Sequence, residues 1–218
     1  MRDHERSARQ SLIDTCCAMS ASGLSVGTSG NASLRWGQGL LITPTGRAYD
    51  RLQPEDIVYL HADGHCPPGQ LIPSSEWRFH CDILARYPDA GAVVHTHSTY
   101  ATALACLGQS IPSFHYMVAV AGGHDIPCAE YATFGTPELS AHVLHALEGR
   151  RACLMANHGQ IATGVTLAAA YLLAQEVENL ARQYLLARSL GPTRDLPPEE
   201  MARVVEKFRH YGQQRSDD

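Results

Sequence analysis

The sequence has no pair of cysteines at C-x-x-C spacing, no block of lysine and arginine, no apolar run long enough to span a bilayer, no internal repeat and no low-complexity segment. Each absence removes a class of protein. Seven cysteines form an odd set, and Cys16, Cys17, Cys81, Cys106 and Cys153 sit inside apolar patterns, the disposition of reduced, buried thiols rather than of a disulfide framework. Cys128 follows Ile126-Pro127 near a loop, but no base is identifiable beside it. Lys and Arg number 17 against 22 Asp and Glu, a net charge of -5. The basic residues are scattered, so a nucleic-acid partner is not expected and an anionic ligand should be small and locally bound. No membrane partner is expected either, and the start, Met1-Arg-Asp-His-Glu-Arg-Ser, lacks the apolar core of a secretory signal, so a cytoplasmic location is expected. At 218 residues with ordinary apolar content, the chain suffices for one sizeable core, and a single domain over residues 1–218 is expected.

What the chain does have is histidine in a telling place. Ala90-Gly-Ala-Val-Val-His95-Thr-His97-Ser98 sets two imidazoles one residue apart at the end of an apolar run. Residues i and i+2 of a strand project from one face, so His95 and His97 can reach a single ion, and neutral imidazole suits zinc. A His-x-His pair alone is more often a partly buried polar pair than a metal site. A second apolar run, Ala152-Cys-Leu-Met-Ala-Asn157-His158-Gly159, also ends in a histidine before a glycine turn. Three histidines at strand ends are hard to explain as packing and match a catalytic metal with an open position for water or substrate. The other nine histidines carry no such pattern. His80, His142 and His145 fall on expected helices, and the rest in loops or near the termini.

Hydrophobic spacing and turn residues predict a helix from about Glu5 to Ser22 and strands over 32–36, 40–43 and 57–61. A helix opening at Pro73-Ser74-Ser75-Glu76-Trp77 should run to about Arg86, capped by Ser74 or Ser75. Next come the strand of His95, a helix over 100–107 capped by Ser98 or Thr99, and a short strand over 126–128. A helix should start at Thr136-Pro137, and a strand leading to His158 should pair with 160–163. Two helices close the chain, over 166–190 and 198–210. Strands interspersed with helices predict an α/β fold, a mixed sheet layered with helices.

Three small-residue loops, at Gly30-Asn31, Thr45-Gly46 and Ser74-Ser75, offer backbone N–H groups and hydroxyls to a phosphate, although each alone is a routine turn or cap. Glu76, in the expected first helical turn, is a surface carboxylate unless that turn faces the metal. There it becomes a base beside a Lewis acid and a phosphate cradle, a trio suited to forming or quenching an enediolate.

Ordered motifs across nearly the whole chain carry a resemblance. Gly27-Thr-Ser-Gly-Asn31, Leu41-Ile-Thr-Pro-Thr-Gly46, Pro73-Ser-Ser-Glu-Trp-Arg-Phe-His80, Val93-Val-His-Thr-His97, Ile111-Pro-Ser-Phe-His-Tyr-Met117, Ala121-Gly-Gly123, Ile126-Pro-Cys128, Tyr131-Ala-Thr-Phe-Gly135, Asn157-His-Gly159 and Glu206-Lys-Phe-Arg-His-Tyr-Gly212 are similar to those of the class II aldolase/adducin superfamily. Within it the L-fuculose-phosphate aldolases are the most similar. The resemblance implies a class II aldolase/adducin-like fold with a central, largely antiparallel sheet, and a homotetramer with sites between subunits. It implies one Zn2+ per subunit on His95, His97 and His158, with Glu76 as a further ligand at rest and as acid/base during turnover. Phosphate is implied at Asn31, Thr45, Gly46, Ser74 and Ser75. Tyr116 is implied as a proton donor reaching in from a neighbouring subunit, and Tyr211 as part of a tail closing over the substrate. The implied reaction is retro-aldol cleavage of a ketose 1-phosphate to dihydroxyacetone phosphate and an aldehyde.

Two places depart from the L-fuculose-phosphate aldolase pattern: Thr96 and Ser98 stand where Asn and Ala are expected, and Asn157 where His is expected. They leave open whether the substrate is L-fuculose 1-phosphate, 5-deoxyribulose 1-phosphate or 5-methylthioribulose 1-phosphate, the last two tied to salvage of S-adenosylmethionine by-products. The His-Thr-His-Ser run is also similar to that of pentulose-phosphate 4-epimerases and methylthioribulose-phosphate dehydratases. Glu76 and His115-Tyr116-Met117 rank cleavage above epimerisation. A non-enzymatic adducin-like module is disfavoured by the complete set of three histidines and Glu76.

Overall fold

The computed structural model describes residues 3–209. A seven-stranded sheet forms its middle, built from β1 (Asn31–Trp36), β2 (Gly39–Ile42), β3 (Val58–His61), β4 (Ala92–Thr96), β5 (Cys128–Ala129), β6 (Ala152–Met155) and β7 (Gly159–Gly164). The strand order is β3-β2-β1-β4-β7-β6-β5. Every neighbouring pair is antiparallel except β5 with β6, which agrees with the largely antiparallel sheet that the resemblance implied.

Among the described residues the α-helices are α1 (Asp3–Ala21), α2 (Trp77–Arg86), α3 (Thr99–Cys106), α4 (Pro137–Ala146), α5 (Leu167–Leu190) and α6 (Pro198–Arg209). Alternation along β4 shows how they are sorted. Ala92 and Val94 point into a core with Leu12, Cys16 and Met19 of α1, Leu104 of α3 and Ala170, Ala174 and Val177 of α5. Val93 points into a second core with Phe79 and Ile83 of α2 and Leu139 and Val143 of α4. A strand covered on both faces is apolar at successive positions, which is why β4 reads as a continuous run even though its partners are antiparallel. Each large side chain withdrawn completely from water in these layers contributes about 1.5–3 kcal/mol.

The helices largely keep the expected spans, with one correction. The segment expected to begin a helix at Pro73 is extended, Pro44 and Pro73 forming an isolated bridge, and α2 starts only at Trp77. The reason is the pairing of the chain before it: Ser74 N–H donates to Thr43 O, and Thr45 N–H to Ile72 O. Ser74 therefore caps no helix. Its hydroxyl accepts from Glu76 N–H at 3.3 Å, and Glu76 occupies the N-cap position. Among the thiols, Cys16, Cys81 and Cys153 are buried as expected, but Cys106 lies exposed at the end of α3; all seven are free. No helix among the described residues is long and apolar enough to cross a membrane.

Candidate metal centre and its cleft

His95 occupies the central strand β4, and its Cα partner across the β1 pairing is Asn31. On the other side, β4 pairs with β7, and the β6–β7 turn carries His158. That turn is three residues long, and Asn157 takes a left-handed conformation at φ 55°, a region asparagine tolerates better than most side chains. Gly159 allows the turn to sit against the end of β4, since a Cβ there would lie 2.3 Å from Thr96 O. Sheet register thus brings together histidines some sixty residues apart.

The convergence is tight. One ligand atom from each of Glu76, His95, His97 and His158 lies within 4.8 Å of the other three. Glu76 Oε2 is 3.2 Å from His95 Nε2, Glu76 Oε1 is 3.0 Å from His158 Nε2, and the Nε2 atoms of His95 and His97 are 2.9 Å apart. His95 Nδ1 lies 2.9 Å from Gln160 O. A carbonyl only accepts, so Nδ1 carries the proton, and in the neutral ring Nε2 presents its lone pair to the cluster.

These residues fit a cation. Glu76 Oε1 is buried, and despite its nearness to His158 it takes no hydrogen bond of acceptable geometry. Burial raises the proton affinity of Glu76, but His95 and His158 more than offset it and hold the carboxyl far below the usual carboxylate range. Burial, then His95 and His158, push His97 down to about 4. Burial also lowers His95, but Glu76 outweighs it and raises the ring. A buried carboxylate that draws positive charge, ringed by three imidazole nitrogens, is a donor set that a divalent cation satisfies.

The cluster closes one end of a cleft of about 370 Å³, whose other lining residues include Thr28, Gly30, Asn31, Thr45, Gly46, Ser74 and Ser75. All five phosphate candidates therefore meet in space. The Pro44–Pro73 bridge sets the loop after β2 beside the segment before α2, and Gly30 passes so close to β4 that a Cβ would stand 2.7 Å from His95 O. Asn31 is engaged elsewhere too, since its Nδ2 donates to Glu76 Oε2 at 2.9 Å. Tyr116 does not line this cleft; it is half exposed, at the start of a 3₁₀ turn, and stacks on Phe208 with centroids 6.4 Å apart. Tyr211 lies outside the described residues.

Sequence reasoning missed five residues at or near this site. His80, assigned only to a helix, is fully buried and bonded to Asn31 and Ser33. Gln160 donates to Ser98 Oγ at 2.8 Å, and the Glu178 carboxylate accepts from Tyr100 N–H and Ala101 N–H at 2.9 and 2.8 Å. Ser98 is thus the N-cap of α3 by position, but the cap itself comes from α5. Tyr131 and Phe134, both about 60% exposed, add aromatic carbon to the cleft. The Tyr131-Ala-Thr-Phe-Gly135 run carried part of the resemblance but was given no role at the site.

Comparison with known proteins places this geometry. Residues 10–185 match the family described as Class II Aldolase and Adducin N-terminal domain. The chain is 57% identical over 204 residues to the 5-methylthioribulose-1-phosphate/5-deoxyribulose-1-phosphate aldolase of Rhodospirillum rubrum, covering 94% of this chain and 92% of that protein. It is 50% identical over 211 residues to the L-fuculose phosphate aldolase of Escherichia coli K12, covering 96% and 97%. A solved structure of an L-fuculose 1-phosphate aldolase superposes with a TM-score of 0.90 at 41% identity, covering 93% of this chain and 96% of that one.

Proposed function

Since the chain belongs to the class II aldolase and adducin family and is an aldolase, we propose that residues 1–218 act as one domain that cleaves a ketose 1-phosphate with an apolar far end to dihydroxyacetone phosphate and an aldehyde. The substrates in view are 5-methylthioribulose 1-phosphate, 5-deoxyribulose 1-phosphate and L-fuculose 1-phosphate, whose ends are methylthio or methyl groups. The observation that carries the reading is the cleft itself: a buried carboxylate among three imidazoles at one end, hydroxyls and turn N–H groups at the other, and Tyr131 and Phe134 along the wall.

In this reading Thr45, Gly46, Ser74 and Ser75 bind the phosphate with Asn31, fixing the sugar's reacting carbons near the carboxylate. His95, His97 and His158, with Glu76 in the resting state, would hold a divalent cation, zinc in this proposal, which supplies positive charge where oxygen becomes negative in the transition state. Glu76 moves a proton at the carbon that the departing aldehyde leaves, delivering it in cleavage and removing it in condensation. Its burial keeps that proton from exchanging freely with water. Tyr116, turned away from its own cleft, suits a proton-transfer role in a neighbouring subunit's site within a homotetramer, and Tyr211 suits closure over the substrate. A cytoplasmic place in S-adenosylmethionine by-product salvage follows if the methylthio or deoxyribulose substrate is preferred.

The test is release of dihydroxyacetone phosphate from the three ketose 1-phosphates, coupled to a reductase, with and without chelator. Chelator-sensitive release supports the reading, and the order of kcat/KM assigns the substrate. No release from any of them with metal supplied overturns it in favour of epimerisation or dehydration.

A further inference from the structure

A buried chain of polar groups leads away from Glu76 through Asn31. Asn31 Nδ2 stands 2.9 Å from Glu76 Oε2, Asn31 Oδ1 is 2.5 Å from His80 Nε2, and His80 Nδ1 is 2.7 Å from Ser33 Oγ. His80 is fully buried, and Asn31 and Ser33 are almost or fully so. Every group in this line comes from rigid structure, Asn31 and Ser33 from alternate positions of β1 and His80 from α2.

The line has one self-consistent orientation. A carboxylate only accepts, so the Asn31 amide must turn its N–H toward Glu76 and its oxygen toward His80. That oxygen needs a donor, so His80 Nε2 carries the proton. Nδ1 then presents a lone pair, which the Ser33 hydroxyl satisfies by donating. Burial, with His95 adding to it, depresses the His80 ring to about 3, so it is neutral and holds one proton. Without the donor at Nε2, the Asn31 oxygen is left unsatisfied and the amide is held only by its bond to Glu76.

We infer that His80 is a positioning residue for the aldolase reaction: through Ser33 and its own tautomer it fixes the orientation of the Asn31 amide, which in turn holds the Glu76 carboxylate in place for proton transfer. This assignment rests on the role proposed for Glu76. It differs from a packing role for His80 because it requires a proton at Nε2 and acts only through Asn31.

The experiment is a double-mutant cycle on the metal-loaded protein. His80→Leu should keep its metal and lower kcat about ten- to a hundredfold, through a weakened hold of Asn31 on the charged Glu76 carboxylate. His80→Gln, whose amide N–H replaces Nε2–H, should return kcat to within about fivefold of the parent. In an Asn31→Ala background, His80→Leu should cost less than about twofold more. Unchanged kcat in His80→Leu, failure of His80→Gln to restore it, or an undiminished loss in the Asn31→Ala background would overturn the assignment. If His80→Leu does not fold, Ser33→Ala tests the same coupling: about a threefold loss that vanishes without Asn31 supports it, and an equal loss in both backgrounds overturns it. Nitrogen-15 NMR, with the His80 signals identified by their absence in His80→Gln, separates this from the reading of Glu76. A bare Nδ1 and protonated Nε2 at neutral pH are expected, and a protonated Nδ1 defeats the positioning role whatever Glu76 does. Normal turnover by Glu76→Gln would defeat the acid/base reading, and with it the positioning role, while leaving the His80 tautomer as observed.

Discussion

The two ends of the cleft are built by opposite means. At the histidine end, side chains from β4, the β6–β7 turn and the start of α2 converge, and His95 and Glu76 are buried. At the end proposed to bind phosphate, Thr45, Gly46 and Ser75 are exposed, and what they share is a path of backbone fixed by the Pro44–Pro73 bridge. The first end selects by the chemistry of particular atoms; the second selects by the shape and polarity of turns. Substitution should therefore remove the reaction at one end and weaken binding at the other.

The largest effect is expected for His95→Ala, which should lose metal and lower turnover by more than about a thousandfold; metal analysis showing full occupancy would sink the ligand assignment. Glu76→Gln keeps an oxygen and the shape of the side chain while losing the exchangeable proton. It should retain nearly all its metal yet fall by about a hundredfold or more in kcat, and undiminished turnover refutes the acid/base role. Thr45→Val, at the other end, should raise KM about tenfold and leave kcat within about threefold, a loss of uniform binding. A kcat loss equal to that of Glu76→Gln would erase the distinction between the ends.

The smallest effect concerns acid. His80 is held at about 3 in the folded chain against an ordinary 6.5. Below 6.5 the unfolded chain takes up a proton that the folded one refuses, so stability falls as pH drops through this window, at up to about 1.4 kcal/mol per pH unit for one proton. Denaturant unfolding of His80→Gln should depend less steeply on pH between 6.5 and 3 than that of the parent. An identical slope means that His80 is not refused its proton.

The same contrast decides what could be read without coordinates. His95 and His97 were legible because strand alternation places i and i+2 on one face, and His158 because an apolar run ended beside it. The residues proposed to bind phosphate were legible only as three ordinary turns, since their meeting depends on the Pro44–Pro73 bridge between segments separated by β3. The start of α2 was misplaced because serine before an apolar period signals a cap, whereas here Ser74 is drawn into backbone pairing with Thr43. His80 and Glu178 were passed over because a polar residue on an amphipathic helix reads as exposed until its partner on another element is known.

β4 is the middle strand of seven, with β1, β2 and β3 to one side and β5, β6 and β7 to the other. During synthesis this divides the making of the site in time. Glu76, His95 and His97 are all present once the segment through β4 has been made, yet only four of the seven strands then exist. The last imidazole arrives with the turn before β7, the strand that also seals the open edge of β4. Three of the four groups of the cluster thus precede the closure of the sheet along the chain, and the fourth arrives with the strand that completes the pairing of β4.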